Sequence, residues 1–153
     1  MGHGDLLIVC DAGYPIPLQA KRIDLAVTQN VPELRPILSL IKSELITERI
    51  IVAVEMREFN PLLFEWLQET FRDADFELVP HTQMLASVPL RAKAIVRTGA
   101  FDPWGNVGLV SGVDAPRWFE REGVKTPDAY RERIARMAAE ADGTRAGERI
   151  SSR

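Results

Sequence analysis

Short apolar runs alternate with amphipathic stretches along the first two thirds of the chain. Leu6–Cys10 is a continuous apolar run bounded by Asp residues, and Arg49–Val54 and Lys93–Val96 share its β-branched character. Runs of this length and composition predict strands buried on both faces. Ile23–Val27, Phe76–Val79 and Val107–Val110 suggest further, shorter strands. Between them the periodicity changes. Asn60–Pro61 opens a segment with Leu63, Trp66, Leu67 and Phe71 on one helical face, Asn60 as cap and Pro61 at the first helical position. A second helix is expected over Pro32–Leu45, with apolar residues at 34, 37, 38, 41 and 45, Asn30 nearby as cap, and Pro36 confined to the first turn. Strands alternating with helices predict an α/β fold: a single layered domain, its central sheet flanked by helices.

The pattern changes near residue 113. Residues 1–113 hold 10 Lys and Arg and 14 Asp and Glu, whereas residues 114–153 hold 9 and 8 in a third of the length. The core is therefore expected in 1–113, with 114–153 a charged C-terminal extension. Thr126 caps an expected helix over 127–141 whose Tyr130, Ile134, Met137 and Ala141 form one stripe, with Glu132–Arg136 and Arg136–Glu140 pairs outside it. A single helix cannot bury its own stripe. Docking on the body or across a subunit boundary is expected, with Trp118 and Phe119 as anchors. The polar end from Asp142 is expected to fray.

Charge and composition narrow the function. A net charge of −3 offers no basic surplus for a phosphate backbone, so nucleic acid is not an expected partner. No apolar run reaches a bilayer's thickness and no signal peptide opens the chain, so a soluble, unexported, cytoplasmic protein without membrane association is expected. One cysteine and two histidines are too few for a structural zinc site. Cys10 has no activating partner at a suitable spacing and reads as a small buried hydrophobe. Walker A, nucleophile-elbow and dinucleotide fingerprints are all missing from the sequence.

Candidate chemistry gathers at two loops. Asp11-Ala-Gly13-Tyr-Pro15-Ile-Pro17 follows the first strand, at the carboxyl end where open α/β sheets bind ligands. By spacing alone, Asp11 reads first as a turn cap. Phe101-Asp-Pro-Trp104-Gly-Asn106 is a turn by composition, and its indole either packs on the core or offers a face to the C–H surface of a sugar ring. His3, close to the N-terminus, reads alone as an exposed residue, and His81 as the cap of a short helix.

Together the pieces resemble a known family. Gly2-His3-Gly4-Asp5, Val9-Cys10-Asp11-Ala12-Gly13-Tyr14-Pro15-Ile16-Pro17 and Arg22-Ile23-Asp24-Leu25-Ala26-Val27-Thr28-Gln29-Asn30-Val31-Pro32, in that order, are similar to the D-ribose pyranase and L-fucose mutarotase family, closer to the ribose branch. His81-Thr-Gln, Ile95-Val-Arg97-Thr-Gly99, Trp104-Gly-Asn106 and Gly112-Val113 extend the resemblance over residues 2–113. It implies an α/β subunit in a ring-shaped homo-oligomer, with monosaccharide sites between subunits and neither cofactor nor metal. Position by position, it implies His3 as proton donor and Asp11, His81, Trp104 and Asn106 as sugar-site residues, with His81 also sharing the proton work.

The residue types suit that reaction. Interconverting pyranose, furanose and anomeric forms needs a proton delivered to the ring oxygen and one removed from the anomeric hydroxyl, tasks a histidine with an unperturbed pKa of about 6.5 performs at neutral pH. Asp11 and Asn106 can hold hydroxyls while the ring is open. Fucose-type mutarotation and a non-catalytic monosaccharide-binding role linked to sugar uptake are the alternatives. Three departures from the family pattern stand out: Trp104 replaces a usual tyrosine, Met1 directly precedes the Gly-His motif where a helix-forming segment is usual, and the chain continues past Val113, where relatives are expected to end.

Overall fold

The computed structural model describes the backbone of residues 1–151 and the side chains of residues 1–143. Cα packing divides it into two units, 1–112 and 113–153.

The first unit is a six-stranded sheet. In chain order its elements are β1 (Leu6–Cys10), β2 (Arg22–Asp24), α1 (Leu34–Glu44), β3 (Thr47–Ala53), α2 (Val54–Phe59), α3 (Pro61–Thr70), β4 (Asp75–Val79), α4 (His81–Ala86), a 3₁₀ turn (Pro89–Arg91), β5 (Ala92–Arg97) and β6 (Val107–Ser111). The spatial order is β2-β5-β1-β6-β3-β4. All neighbours are parallel except β6, which runs antiparallel to both β1 and β3. β6 therefore begins at the edge where the parallel strands end, and loops from both strand directions meet there.

Side-chain alternation along β1 explains why it needs a continuous apolar run. Leu7 and Val9 face one side with α1, α2 and α3 residues such as Leu38, Met56, Leu63 and Leu67. Leu6, Ile8 and Cys10 face the other with Tyr14, Ile16, Met84 and Val88. A strand covered on both faces has no position left for a polar residue. Gly108 on β6 fits the same crowding, since a Cβ there would lie 3.1 Å from Ile51 Cβ and 3.2 Å from a Leu6 methyl.

Several sequence expectations need correction. The expected strand Ile23–Val27 is Arg22–Asp24, an exposed edge strand paired only with β5. Arg97 binds Asp24 through its guanidinium, an interaction that hydrophobic periodicity does not encode. The strand over Arg49–Val54 ends at Ala53, because Val54 already opens α2, a six-residue helix too short for its periodicity to mark it. Asn60 occupies the N-cap position of α3, but its side chain makes no cap and donates instead from Nδ2 to the Pro103 carbonyl at 3.0 Å. Asn30 caps nothing either. Glu33 is the N-cap of α1, and Asn30 Oδ1 accepts from the Phe101 N–H at 2.8 Å. Pro36 does fall in the first turn of α1.

The second unit holds α5 (Ala115–Phe119) and α6 (Asp128–Ser151). The Asp114 carboxylate accepts from the Arg117 N–H at the start of α5. Phe119 packs on Tyr130 with ring centroids 4.5 Å apart, while Trp118 is largely exposed. The helix expected over 127–141 runs from Asp128 to Ser151 and so takes in backbone beyond Asp142; residues 152–153 lie outside the described residues. Among the described residues no helix is long and apolar enough to cross a membrane.

Candidate functional site

Asp11 is the first residue beyond β1. Its Oδ1 accepts from the Gly13 N–H at 2.8 Å, the Asx-type turn that its spacing suggests. Its own N–H donates to Asn106 Oδ1 at 3.2 Å, which ties the loop after β1 to the residue just before β6. Asn106 is buried. Burial pushes the Asp11 carboxyl above the usual carboxylate range, against the lowering effects of the Gly13 N–H, the Asn106 side chain, the Tyr14 N–H and the nearby His81. A carboxylate kept half-buried at a cost, with an amide beside it, is suited to gripping hydroxyl groups.

Beside it opens a cleft of about 380 Å³ lined by Asp11, Ala12, Gly13 and the segment Ala100–Pro103. That segment follows β5 and is held from below. Gly99 lies under the arm before α1, where a Cβ would come within 2.4 Å of the Thr28 and Val31 carbonyl oxygens. No other residue fits that approach without displacing backbone.

Trp104 follows Pro103 in the same loop, next to the residues that line the cleft but not among them. Asp102, Pro103, Trp104 and Gly105 form a turn closed by the Gly105 N–H on the Asp102 carbonyl at 2.9 Å, with Trp104 at φ 54°. Proline at the second position and positive φ at the third define a type II turn, whose third position normally takes glycine. A tryptophan there is strained, and its ring is held by stacking on Phe59 with centroids 5.1 Å apart. The Asn60-to-Pro103 bond fastens the same turn to the start of α3. The indole is half-buried and packs against the core as well as on Phe59, which is the packing alternative of the two that the sequence offers.

His81 is the first residue of α4, at the end of β4. Pro80 before it has no side-chain capping group, and Glu55 of α2 supplies the acceptor: the His81 N–H donates to Glu55 Oε2 at 2.9 Å. His81 Nδ1 is buried without a hydrogen-bond partner among the described residues. Tyr14 links this helix to the Asp11 loop, its buried hydroxyl donating to the Met84 carbonyl at 2.5 Å. Cys10 beneath them is buried, and its thiol is pushed up to about 12 by burial first and by Asp11 second, so it is an inert core group.

His3 lies elsewhere. It occupies the turn before β1, at the edge where the parallel strands begin, and its Nε2 stands 2.9 Å from Oε2 of Glu48 at the start of β3. The five residues of β1, roughly 17 Å of extended chain, separate it from the Asp11 loop. The chain thus brings Asp11, Trp104 and Asn106 to one edge of the sheet, joins His81 to them through α4, and leaves His3 at the opposite edge. Sequence reading does not single out Phe59, Glu55, Glu48 or Asp102. Their functional contacts are mostly to residues far away along the chain, and no local spacing marks them.

The family model described as RbsD / FucU transport protein family matches residues 1–114. Among curated proteins, the chain is 60% identical over 132 residues to D-ribose pyranase 2 of Rubrobacter xylanophilus, covering 86% of each. It is 51% identical over 134 residues to D-ribose pyranase 1 of Streptomyces griseus, covering 88% of this chain and 89% of the relative. Both alignments are longer than residues 1–113, so they take in part of the extension; the expectation that relatives end near Val113 is wrong for these two. Among solved structures, that of Bacillus subtilis RbsD complexed with D-ribose superposes with a TM-score of 0.71 at 30% identity, covering 74% of this chain and 86% of the other. The fucose mutarotase of Streptococcus pneumoniae, at 20% identity and a TM-score of 0.58, shares the fold. The chain is a member of the RbsD / FucU family.

Proposed function

We propose that the protein is a sugar mutarotase that interconverts the pyranose, furanose and anomeric forms of D-ribose. The carrying observation is the cleft at the carboxyl edge of the sheet, with Asp11 on its wall and Asn106 and Trp104 on the adjoining turn, in a chain 60% and 51% identical to named D-ribose pyranases. Those names favour ribose over fucose. Asp11 and Asn106 bind sugar hydroxyls, and the indole of Trp104 stacks on the C–H face of the ring.

In the reaction a histidine delivers its proton to the ring oxygen while a base removes the proton of the anomeric hydroxyl. The C1–O5 bond of the pyranose breaks and C1 becomes an aldehyde. Attack by the 4-hydroxyl then gives the furanose, and attack by the 5-hydroxyl on either face gives either pyranose anomer, with the protons returned in reverse. His3 is the donor in this reading. His81, whose Nδ1 has no hydrogen-bond partner among the described residues, is the second group, directly or through water.

The separation of His3 from Asp11 supports a homo-oligomer in which the site lies between subunits: His3 of one copy faces the cleft of the next, and a ring satisfies every site equally. The arm between β1 and α1 is suited to such contact, since Leu18 is 98% and Val27 80% exposed, with Ile23 and Val31 also open. The enzyme acts in the cytoplasm on free monosaccharide. Saturation-transfer NMR on D-ribose at micromolar protein tests the reading, with L-fucose as comparison. Exchange above the spontaneous rate is expected for ribose; unchanged exchange for both sugars refutes it.

A further inference from the structure

We propose that Glu48 is a positioning residue for His3, and that Nδ1 is the ring nitrogen through which His3 exchanges its proton with the sugar. The inference rests on the reading of His3 as proton donor. Glu48 is the second residue of β3, and its side chain is 21% exposed against 47% for His3, so the acid is the more fixed partner. Its Oε2 lies 2.9 Å from His3 Nε2. An ionised carboxylate only accepts, so at this distance Nε2 carries a hydrogen and donates it. Nδ1 is then the only ring nitrogen left to give or take a proton. When Nδ1 of the imidazolium passes its proton to the ring oxygen, the neutral ring left behind is the Nε2–H tautomer that Glu48 already holds. No tautomer change is needed before the proton returns.

The neighbouring charges leave this task to Glu48. The Asp5 carboxylate, on the same side of the sheet edge, is taken by Lys93 Nζ at 2.6 Å and the Gly2 N–H at 2.7 Å. The guanidinium of Arg49, next to Glu48 in β3, is turned to Glu77 at 3.1 Å. The backbone of the histidine turn is fixed independently: Gly4 N–H donates to the Ser111 carbonyl, Ser111 N–H to the Asp5 carbonyl, and the Ser111 hydroxyl to the Gly2 carbonyl. Loss of the Glu48 carboxylate should therefore free the ring without dismantling the turn that carries it.

The test compares Glu48→Ala, Glu48→Gln, His3→Ala and the double variant His3→Ala/Glu48→Ala in full-length protein, using D-ribose exchange rates and ¹⁵N spectra of the histidine rings. Glu48→Ala is expected to lower kcat roughly tenfold to a hundredfold, the usual cost of losing the partner that orients a functional histidine, with KM within about twofold. Glu48→Gln, whose side-chain carbonyl accepts the same N–H, should recover most of the rate. The double variant should be no slower than His3→Ala, because Glu48 acts only through that ring. The neutral His3 ring should be the Nε2–H tautomer alone in the wild type and a tautomer mixture in Glu48→Ala. A Glu48→Ala rate within twofold of wild type, a Glu48→Gln rate no better than Glu48→Ala, or a double variant slower than His3→Ala overturns the proposal while the mutarotase reading stands. A His3→Ala protein with the wild-type rate overturns the reading of His3 and this proposal with it.

Discussion

Two four-residue turns at opposite edges of the sheet carry proposed site residues by the same backbone device and differ in how they satisfy it. Gly2–Asp5 closes through the Asp5 N–H on the Gly2 carbonyl at 3.1 Å, with Gly4 at φ 80° in its third position. Asp102–Gly105 closes in the same way, but its third position holds Trp104 at φ 54°. Glycine adopts that conformation freely, whereas an L side chain adopts it at a cost of about 1–2 kcal/mol. The first turn presents His3, the proposed proton donor, from the unstrained second position. The second turn puts the large side chain at the strained position itself and offsets the cost by stacking it on Phe59. Strain retained in this way marks a side chain whose direction matters more than its backbone's comfort.

If the two edges form one site only across a subunit boundary, the largest effects come from breaking each separately. His3→Ala and His81→Ala should each lower ribose exchange by about 10²- to 10⁴-fold, the usual contribution of a general acid or base, without loss of the fold, since neither lies in a strand. His3→Ala and Asp11→Asn should each be nearly inactive alone. Mixed and reassembled one to one, they should recover about a quarter of wild-type activity, because that fraction of boundaries pairs an intact His3 with an intact Asp11. Activity that stays at the level of the separate variants after mixing would show that the two edges do not share a site.

The next effect concerns the strained turn. Trp104→Ala should weaken sugar binding and abolish the part of the sugar-induced fluorescence change that Trp66 and Trp118 do not supply, while Trp104→Phe retains most of the affinity. Stability should follow an inverted order. Trp104→Gly should be more stable than Trp104→Ala by about 1 kcal/mol in urea unfolding, because only glycine removes the cost of positive φ. At the other edge Gly4→Ala should cost about 1 kcal/mol, although its Cβ would meet nothing within 4 Å. Equal stability of the two Trp104 variants would place the strain elsewhere.

The two edges also differ in how legible they are in the sequence. β1, α1, α3 and β6 follow from apolar periodicity, because burial on both faces of β1 and one face of each helix leaves few alternatives. The Asp11 loop and the Trp104 turn are readable too, since proline, glycine and asparagine punctuate chain paths locally. What escapes is everything settled across distance. β2 is held by Arg97 and Asp24, 73 residues apart. Glu48 reaches His3 across 45 residues, and Glu55 reaches the His81 N–H across 26. The motif order points to His3 and Asp11 as parts of one site, yet their placement at opposite ends of β1 is a matter of strand length that a motif does not display.

The smallest expected effect separates stability from function at Asp11. Burial holds its carboxyl above the ordinary value of 3.8, so the folded chain binds this proton more tightly than the unfolded chain does. Stability falls with rising pH wherever the folded state binds more protons, so this group's contribution is lost as pH rises from about 4 through its raised folded pKa and then stays constant. An asparagine at this position would keep an oxygen to accept the Gly13 N–H without carrying a charge into the half-buried site. Asp11→Asn should therefore melt no lower than wild type at pH 7, and its advantage over wild type should grow between pH 4 and pH 7. Sugar binding and exchange should be lost in the same variant. Thermal melts at the two pH values check the sign: an advantage that shrinks as pH rises would mean that the Gly13, Asn106 and Tyr14 contacts outweigh desolvation, and that the carboxylate stabilises the folded chain.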